Sequence, residues 1–309
     1  MAHVLLIAPA DLGETVLATG ALAHVLAEAD ELTVLAEPAA NALFRSAPAT
    51  RVAMPERGGP GWSFAALIAG KRFDTVIDAR GDLTGKLAPG ARKLRLEPAP
   101  VLRHRVEDWS AALGAERPLA PALWVDDQAR SEAALVGGGA TQLLLIAPGG
   151  SRAGKRWPQE RFAAVARRLA TGPMNGAVVL VLGAGERDAE LSRDIVSSLD
   201  ADGVEARNAG ALDLLAAAAL TERATLVIGN DNALTHIAAA KGAPVLTLFG
   251  PTDERVRAPY GPRARTLRGR ALEELAAPGV LDDGSAMDDV SIDAVEAAAL
   301  DLLHAGGLR

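Results

Sequence analysis

Cysteine is absent from this chain, which excludes a disulfide framework and any thiolate-held metal. Aromatic residues are scarce at 3% although apolar residues reach 49%, so alanine and leucine must build the core. No apolar run is long enough to cross a membrane; Leu214–Leu220 stops at Thr221-Glu222-Arg223. The opening MAHVLLIAPADLGE has no basic segment ahead of a short apolar run, so a secretory leader is not expected and the chain reads as cytoplasmic. Basic residues are outnumbered, and the net charge of −7 argues against general nucleic-acid binding. The five histidines show no ligand spacing, so no metal site is expected. A Gly-x-Ser-x-Gly elbow and a Gly-Lys-Ser/Thr phosphate loop are also missing, which sets aside those hydrolase and NTPase classes.

What is present is an alternation of short apolar runs with amphipathic segments. Strands are predicted at Val4–Ala8, Leu32–Ala36, Thr75–Asp78 and Lys93–Leu96, with helices at Glu14–Ala29, Asn41–Ser46 and Val106–Leu113. The series restarts with strands at Leu143–Ala147, Ala177–Leu182, Thr225–Ile228 and Pro244–Phe249. Helices are predicted at Glu160–Ala170, Glu186–Leu199 and Asp231–Lys241. Such alternation builds a parallel sheet covered by helices. The expected fold is α/β, with two Rossmann-like domains facing a cleft, residues 1–125 and 126–309. The boundary falls near Pro121–Gly139, around a linking helix. A last helix at Ser291–Leu303 is expected to cross back, and Asp282–Asp289 to be loop.

Four turns follow strands, and ligands of open α/β sheets sit at that end. In the first, Leu12-Gly13-Glu14, Glu14 is either a reactive carboxylate or an acid complementing the helix dipole, with Asp11 suited to the N-cap. The second runs Pro148-Gly149-Gly150-Ser151-Arg152-Ala153-Gly154-Lys155-Arg156-Trp157-Pro158. Its glycines allow close backbone approach and Lys155 suits a diphosphate; the other reading is a solvated loop. The third, Gly183-Ala184-Gly185-Glu186, is an incomplete dinucleotide fingerprint. The fourth, Gly229-Asn230-Asp231-Asn232-Ala233-Leu234, opens a helix whose free amides can hold an anion, with His236 one turn in, either at the ligand or simply buried. Two basic runs stand apart: Arg92–Arg105, and Arg255–Arg270 with six arginines. Each is solvated surface or a patch for an anionic acceptor or membrane.

Asp231, His236 and Phe249-Gly250-Pro251-Thr252, together with Lys155-Arg156-Trp157-Pro158 and Leu12-Gly13-Glu14, resemble the signatures of family 9 glycosyltransferases, the lipopolysaccharide heptosyltransferase family. Phe73–Gly81 is similar to its Asp-x-Val-Ile-Asp strand and turn. The chain departs from the pattern at Glu14, where the family has Asp, and at Asn232-Ala233, where it has Ser/Thr-Gly. The resemblance implies the glycosyltransferase B-type fold and an inverting, metal-independent transfer without a cofactor. Heptose from ADP-heptose would pass to a lipopolysaccharide-core or related glycolipid. It makes Glu14 the base and Lys155 and Asp231 catalytic partners at the diphosphate and sugar. Ser151, Asn232, Ala233, Leu234, His236, Gly250 and Thr252 would line the donor, and Glu186 (or Glu190) would take its ribose. Gly13, Arg103 and Arg105 would meet an anionic acceptor, with peripheral contact at the inner membrane face. Another nucleotide sugar on the same scaffold, or a non-catalytic nucleotide-sugar-binding protein, is the alternative, and turnover separates the last of these from an enzyme.

Overall fold

Strands buried on both faces read as unbroken apolar runs, and Leu143–Ala147, LLLIA, has every residue buried. The computed structural model describes residues 2–49, 51–53, 68, 70–81, 83–96, 101–183, 186–275 and 285–306. It divides into two units, Met1–Trp124 with Arg255–Arg257, and Val125–Glu254 with Ala258–Arg309.

The first unit holds β1 (His3–Ile7), α1 (Leu12–Leu26), β2 (Glu31–Leu35), β3 (Arg51–Ala53), β4 (Phe73–Asp78), α2 (Leu83–Leu87), β5 (Gly90–Arg95) and α3 (Arg105–Ala112). Its sheet runs β3-β2-β1-β4-β5, all parallel, with Ile7 opposite both Leu35 and Asp78. Pro38–Phe44 forms a 3-10 helix where an ordinary short helix is predicted for Asn41–Ser46; Pro38 suits the first position of such a turn.

The second unit holds α4 (Asp127–Gly137), β6 (Leu143–Ala147), α5 (Gln159–Thr171), β7 (Val178–Val181), α6 (Glu186–Ala201), β8 (Ala206–Asn208), α7 (Leu214–Thr221), β9 (Leu226–Asn230), α8 (Ala233–Ala240), β10 (Val245–Phe249) and β11 (Ala264–Arg268). A short helix, α9 (Glu254–Arg257), comes between β10 and β11 in the chain, its Arg255–Arg257 belonging to the first unit, and α10 (Ser285–Asp288) and α11 (Ile292–Ala305) follow. The sheet order is β11-β10-β9-β6-β7-β8, again all parallel. Both sheets are doubly wound: chain order reverses at β1/β4 in the first and at β6/β9 in the second, where such sheets place their ligands. The core of the second unit joins Leu144, Ile146, Phe162, Val181, Ile228 and Leu248 to Val295 and Leu302 of α11. The last helix thus packs on α5, β9 and β10 of its own unit. Residues 282–289, predicted as loop, include the helical turn Ser285–Asp288, and 282–284 lie outside the described residues.

Candidate functional site

At the reversal point of the first sheet, Asp11 caps α1: its Oδ1 accepts from the Glu14 amide at 3.0 Å. The Glu14 carboxylate is left for other partners. Its Oε1 accepts from Arg257 Nη2 at 2.5 Å, and Arg105 Nε stands 3.6 Å away. Gly13 is buried at the start of the same helix. Arg105 therefore faces Glu14, while Arg103 lies 3.8 Å from Asp108 and is 41% exposed. Next along, Asp78 Oδ1 closes the turn after β4 by accepting from the amides of Arg80 and Gly81.

At the reversal point of the second sheet the turns after β6, β9 and β10 meet. Lys155 ends a 3-10 turn, Ala153–Lys155, and its Nζ donates to Asp231 Oδ2 at 2.7 Å. Thr252 Oγ1 donates to the same oxygen at 2.8 Å, and His236 Nε2 lies 3.5 Å from Oδ1. Lys155, Asp231 and His236 are all buried, and His236 Nδ1 has no hydrogen-bond partner among the described residues. Burial opposes a charge on Asp231, but His236 and Lys155 beside it outweigh that cost and hold the carboxyl well below the usual range. The carboxylate thus accepts from Lys155 and Thr252 through one oxygen.

Asn232 explains its own departure from the family pattern. It is the N-cap of α8, its Oδ1 accepting from the amides of Leu234 and Thr235 in a capping box. Its Nδ2 donates to the carbonyls of Ala147 and Gly149, tying this turn to the one after β6. The Leu234 amide, expected to be offered to an anion, is taken by this cap. Ala233 needs no glycine, because among the described residues positive φ occurs only at glycine.

Gly250 packs against the Lys155 turn: a Cβ there would lie 2.8 Å from the Gly154 carbonyl oxygen and 2.7 Å from Met287 Sδ. Ser151 is exposed on that turn. Glu186 opens α6, but its side chain lies outside the described residues, and Glu190 is exposed. The buried acid of this helix is Asp188, with an oxygen 2.3 Å from where a Gly149 Cβ would stand. Sequence reasoning missed Asp188, and helical spacing from Gly183 was the signal available. It also missed Asn230, whose Nδ2 donates to Pro148 O at 2.7 Å while its Oδ1 accepts from Trp157 N. Trp157 is buried and donates through Nε1 to Val290 O, a structural role. The one Asp-x-Asp triplet, Asp200-Ala201-Asp202, sits at the exposed C-terminal end of α6, with Asp202 paired to Arg167. A helix returning from a parallel strand ends opposite the ligand side of the sheet, so this triplet stands apart from the turns described above.

Residues 93–278, more than half the chain, match the family model described as glycosyltransferase family 9 (heptosyltransferase). Among curated relatives, lipopolysaccharide heptosyltransferase 2 of Salmonella typhimurium is 31% identical over 116 residues, 37% of this chain and 32% of that protein. Lipooligosaccharide heptosyltransferase 2 of Haemophilus influenzae is 33% identical over a stretch of the same length. The matched stretch spans about a third of the length of these relatives. The fold is similar to that of Escherichia coli ADP-heptose lps heptosyltransferase II, with a TM-score of 0.78 and 20% identity over 99% of both chains. A family 9 glycosyltransferase from Veillonella parvula gives 0.81 and 20% over 98% of both.

Proposed function

This chain belongs to glycosyltransferase family 9, and from that membership we propose that it transfers a sugar, heptose from ADP-heptose, onto a lipopolysaccharide-core or related anionic glycolipid, with inversion and without a metal. The observation that carries the reading is the buried Lys155–Asp231–His236 cluster, joined by half-buried Thr252, at the reversal point of the second sheet. An ammonium group fixed there by a carboxylate suits a diphosphate, whose charge grows as it departs. The relatives named for ADP-heptose support the donor assignment.

In the proposed displacement Glu14 takes the proton of the acceptor hydroxyl as that oxygen attacks the anomeric carbon. The bond to the diphosphate breaks, and the leaving group carries its electron pair toward Lys155. Arg105 and Arg257 orient the Glu14 carboxylate. In this scheme the first unit brings the acceptor and the second holds the donor.

Glu14→Gln is expected to lower turnover by roughly two to four decades, the range for loss of a general base. ADP affinity should stay at the wild-type value, because Glu14 is not part of the Lys155 cluster. Coupled detection of released ADP, with calorimetry on the same samples, checks both. Unchanged turnover would remove Glu14 as base, and loss of activity in EDTA would overturn the metal-free scheme.

A further inference from the structure

The Arg255–Arg270 run, which looks in sequence like one basic patch, is dispersed among separate partners. Arg257 meets Glu14, Arg263 the Gly242 carbonyl, and Arg270 the Asp289 carboxylate. Arg268 differs in kind. It ends β11 directly opposite Phe249, the last residue of β10, so its side chain stands beside the loop that leaves β10. That side chain is 14% exposed, and apart from a 3.5 Å contact from Nη1 to Arg270 O its hydrogen bonds go to the loop. Nη1 donates to Gly250 O at 3.2 Å, Nη2 to Thr252 O at 2.6 Å, and Nε to Glu254 Oε1 at 2.9 Å. Nη2 also pairs with Glu254 Oε2. A planar fork with this many fixed directions holds a peptide segment in one shape, which a lysine ammonium cannot do.

The loop so held has two functional contacts. Thr252 Oγ1 bonds the Asp231 oxygen that also receives Lys155, and Gly250 packs on the Gly154 carbonyl one residue before Lys155. We propose that Arg268, together with Glu254, is a positioning residue for the diphosphate site: it fixes the Gly250–Glu254 loop, and through Thr252 and Asp231 it sets where the Lys155 ammonium stands. Arg268 itself does not touch the ligand. The inference rests on the reading of Lys155 as the diphosphate-binding cation.

The test compares wild type, Arg268→Lys, Lys155→Ala and the double variant by calorimetry with ADP as probe, and by hydrogen exchange of the ligand-free proteins. Arg268→Lys should weaken ADP binding about ten-fold, the loss of roughly one charge-assisted hydrogen bond. In the Lys155→Ala background the same change should weaken it less than about two-fold, since a residue acting through Lys155 has nothing left to act on. Amides of Gly250, Thr252, Asp253 and Glu254 should exchange faster in Arg268→Lys while those of β6 and β7 do not change. Equal losses in both backgrounds, or unaltered exchange of the loop, would overturn the proposal. Should Lys155→Ala not fold, Thr252→Val, which cuts the link between loop and carboxylate, replaces it as background with the same expectation. Failure of wild type to bind ADP, UDP and GDP would instead sink the donor reading, and loop exchange would still decide whether Arg268 fixes the Gly250–Glu254 loop.

Discussion

Asp231 gathers buried Lys155 and His236 around its carboxylate, and these partners make it sensitive to both substitution and acid. Removing the ammonium with Lys155→Ala leaves a carboxylate buried with a single polar neighbour on Oδ2. Breaking a buried pair in this way costs about 3–5 kcal/mol. We expect a fall of that size in urea denaturation at pH 7, and weaker ADP binding by about 1.5–3 kcal/mol for the lost charge-assisted bond. The acid dependence follows from the lowered carboxyl. A depressed folded value adds stability above the unfolded value, about 3.9, and that stability drains away as pH falls toward the folded one. Asp231→Asn should therefore flatten the loss of stability seen in wild type between about pH 4 and pH 2.5, followed by urea midpoints across that range. An equally steep loss in the variant would show that other carboxylates dominate.

Helix termini and the turns they stitch together decide how the second unit forms its site. Asn232 caps α8 and also reaches two carbonyls after β6, whereas the serine or threonine of the family pattern carries only a hydroxyl. Asn232→Ser should keep the cap, because both side chains accept from the same amides. It should lose the two bonds to Ala147 and Gly149 at a cost of about 1–3 kcal/mol. Thermal unfolding with and without ADP checks whether this loss reaches the ligand site. The sequence reading began this helix at Asp231 and took neither the capping box of Asn232 and Thr235 nor the cross-strand use of Nδ2 from the residue order. That use requires β6 and β9 to be neighbours, a fact of sheet order rather than of local spacing.

At the scale of the whole molecule, three exposed cations share one edge of the first sheet. Arg92, Lys93 and Arg95 are exposed on β5, which has one strand neighbour in the sheet, β4. Among the described residues no helix is long and apolar enough to cross a membrane. If the acceptor is an anionic glycolipid, this edge is where charge attraction acts, and it should fade as salt shortens the Debye length. The expected outcome is co-sedimentation with vesicles containing phosphatidylglycerol at low salt, reduced by Arg92→Glu with Lys93→Glu and abolished near 0.5 M salt, where screening acts within about 4–5 Å. Arg105 is unsuitable for this experiment because it stands beside Glu14. Wild-type protein that ignores such vesicles at low salt would remove the lipid part of the functional reading.

The sequence by itself determined the two α/β halves and their turns, because buried parallel strands leave unbroken apolar runs and turns leave glycine; it singled out Glu14, Lys155, Asp231 and Thr252 as candidates. It left β3, β8 and β11 unread. These are edge strands, and β8 (Ala206–Asn208) and β11 (Ala264–Arg268) keep polar residues at an exposed or half-buried margin, where no periodicity is imposed. Only the tertiary structure decided who meets whom. The six arginines of Arg255–Arg270 read as one patch when strung along the chain, yet Arg257, Arg263, Arg268 and Arg270 each meet a different partner. Arg268 reaches the Gly250–Glu254 loop because β11 lies parallel to β10, and that pairing, made over long sequence separation, is fixed by burial of the whole sheet rather than by any residue within the run.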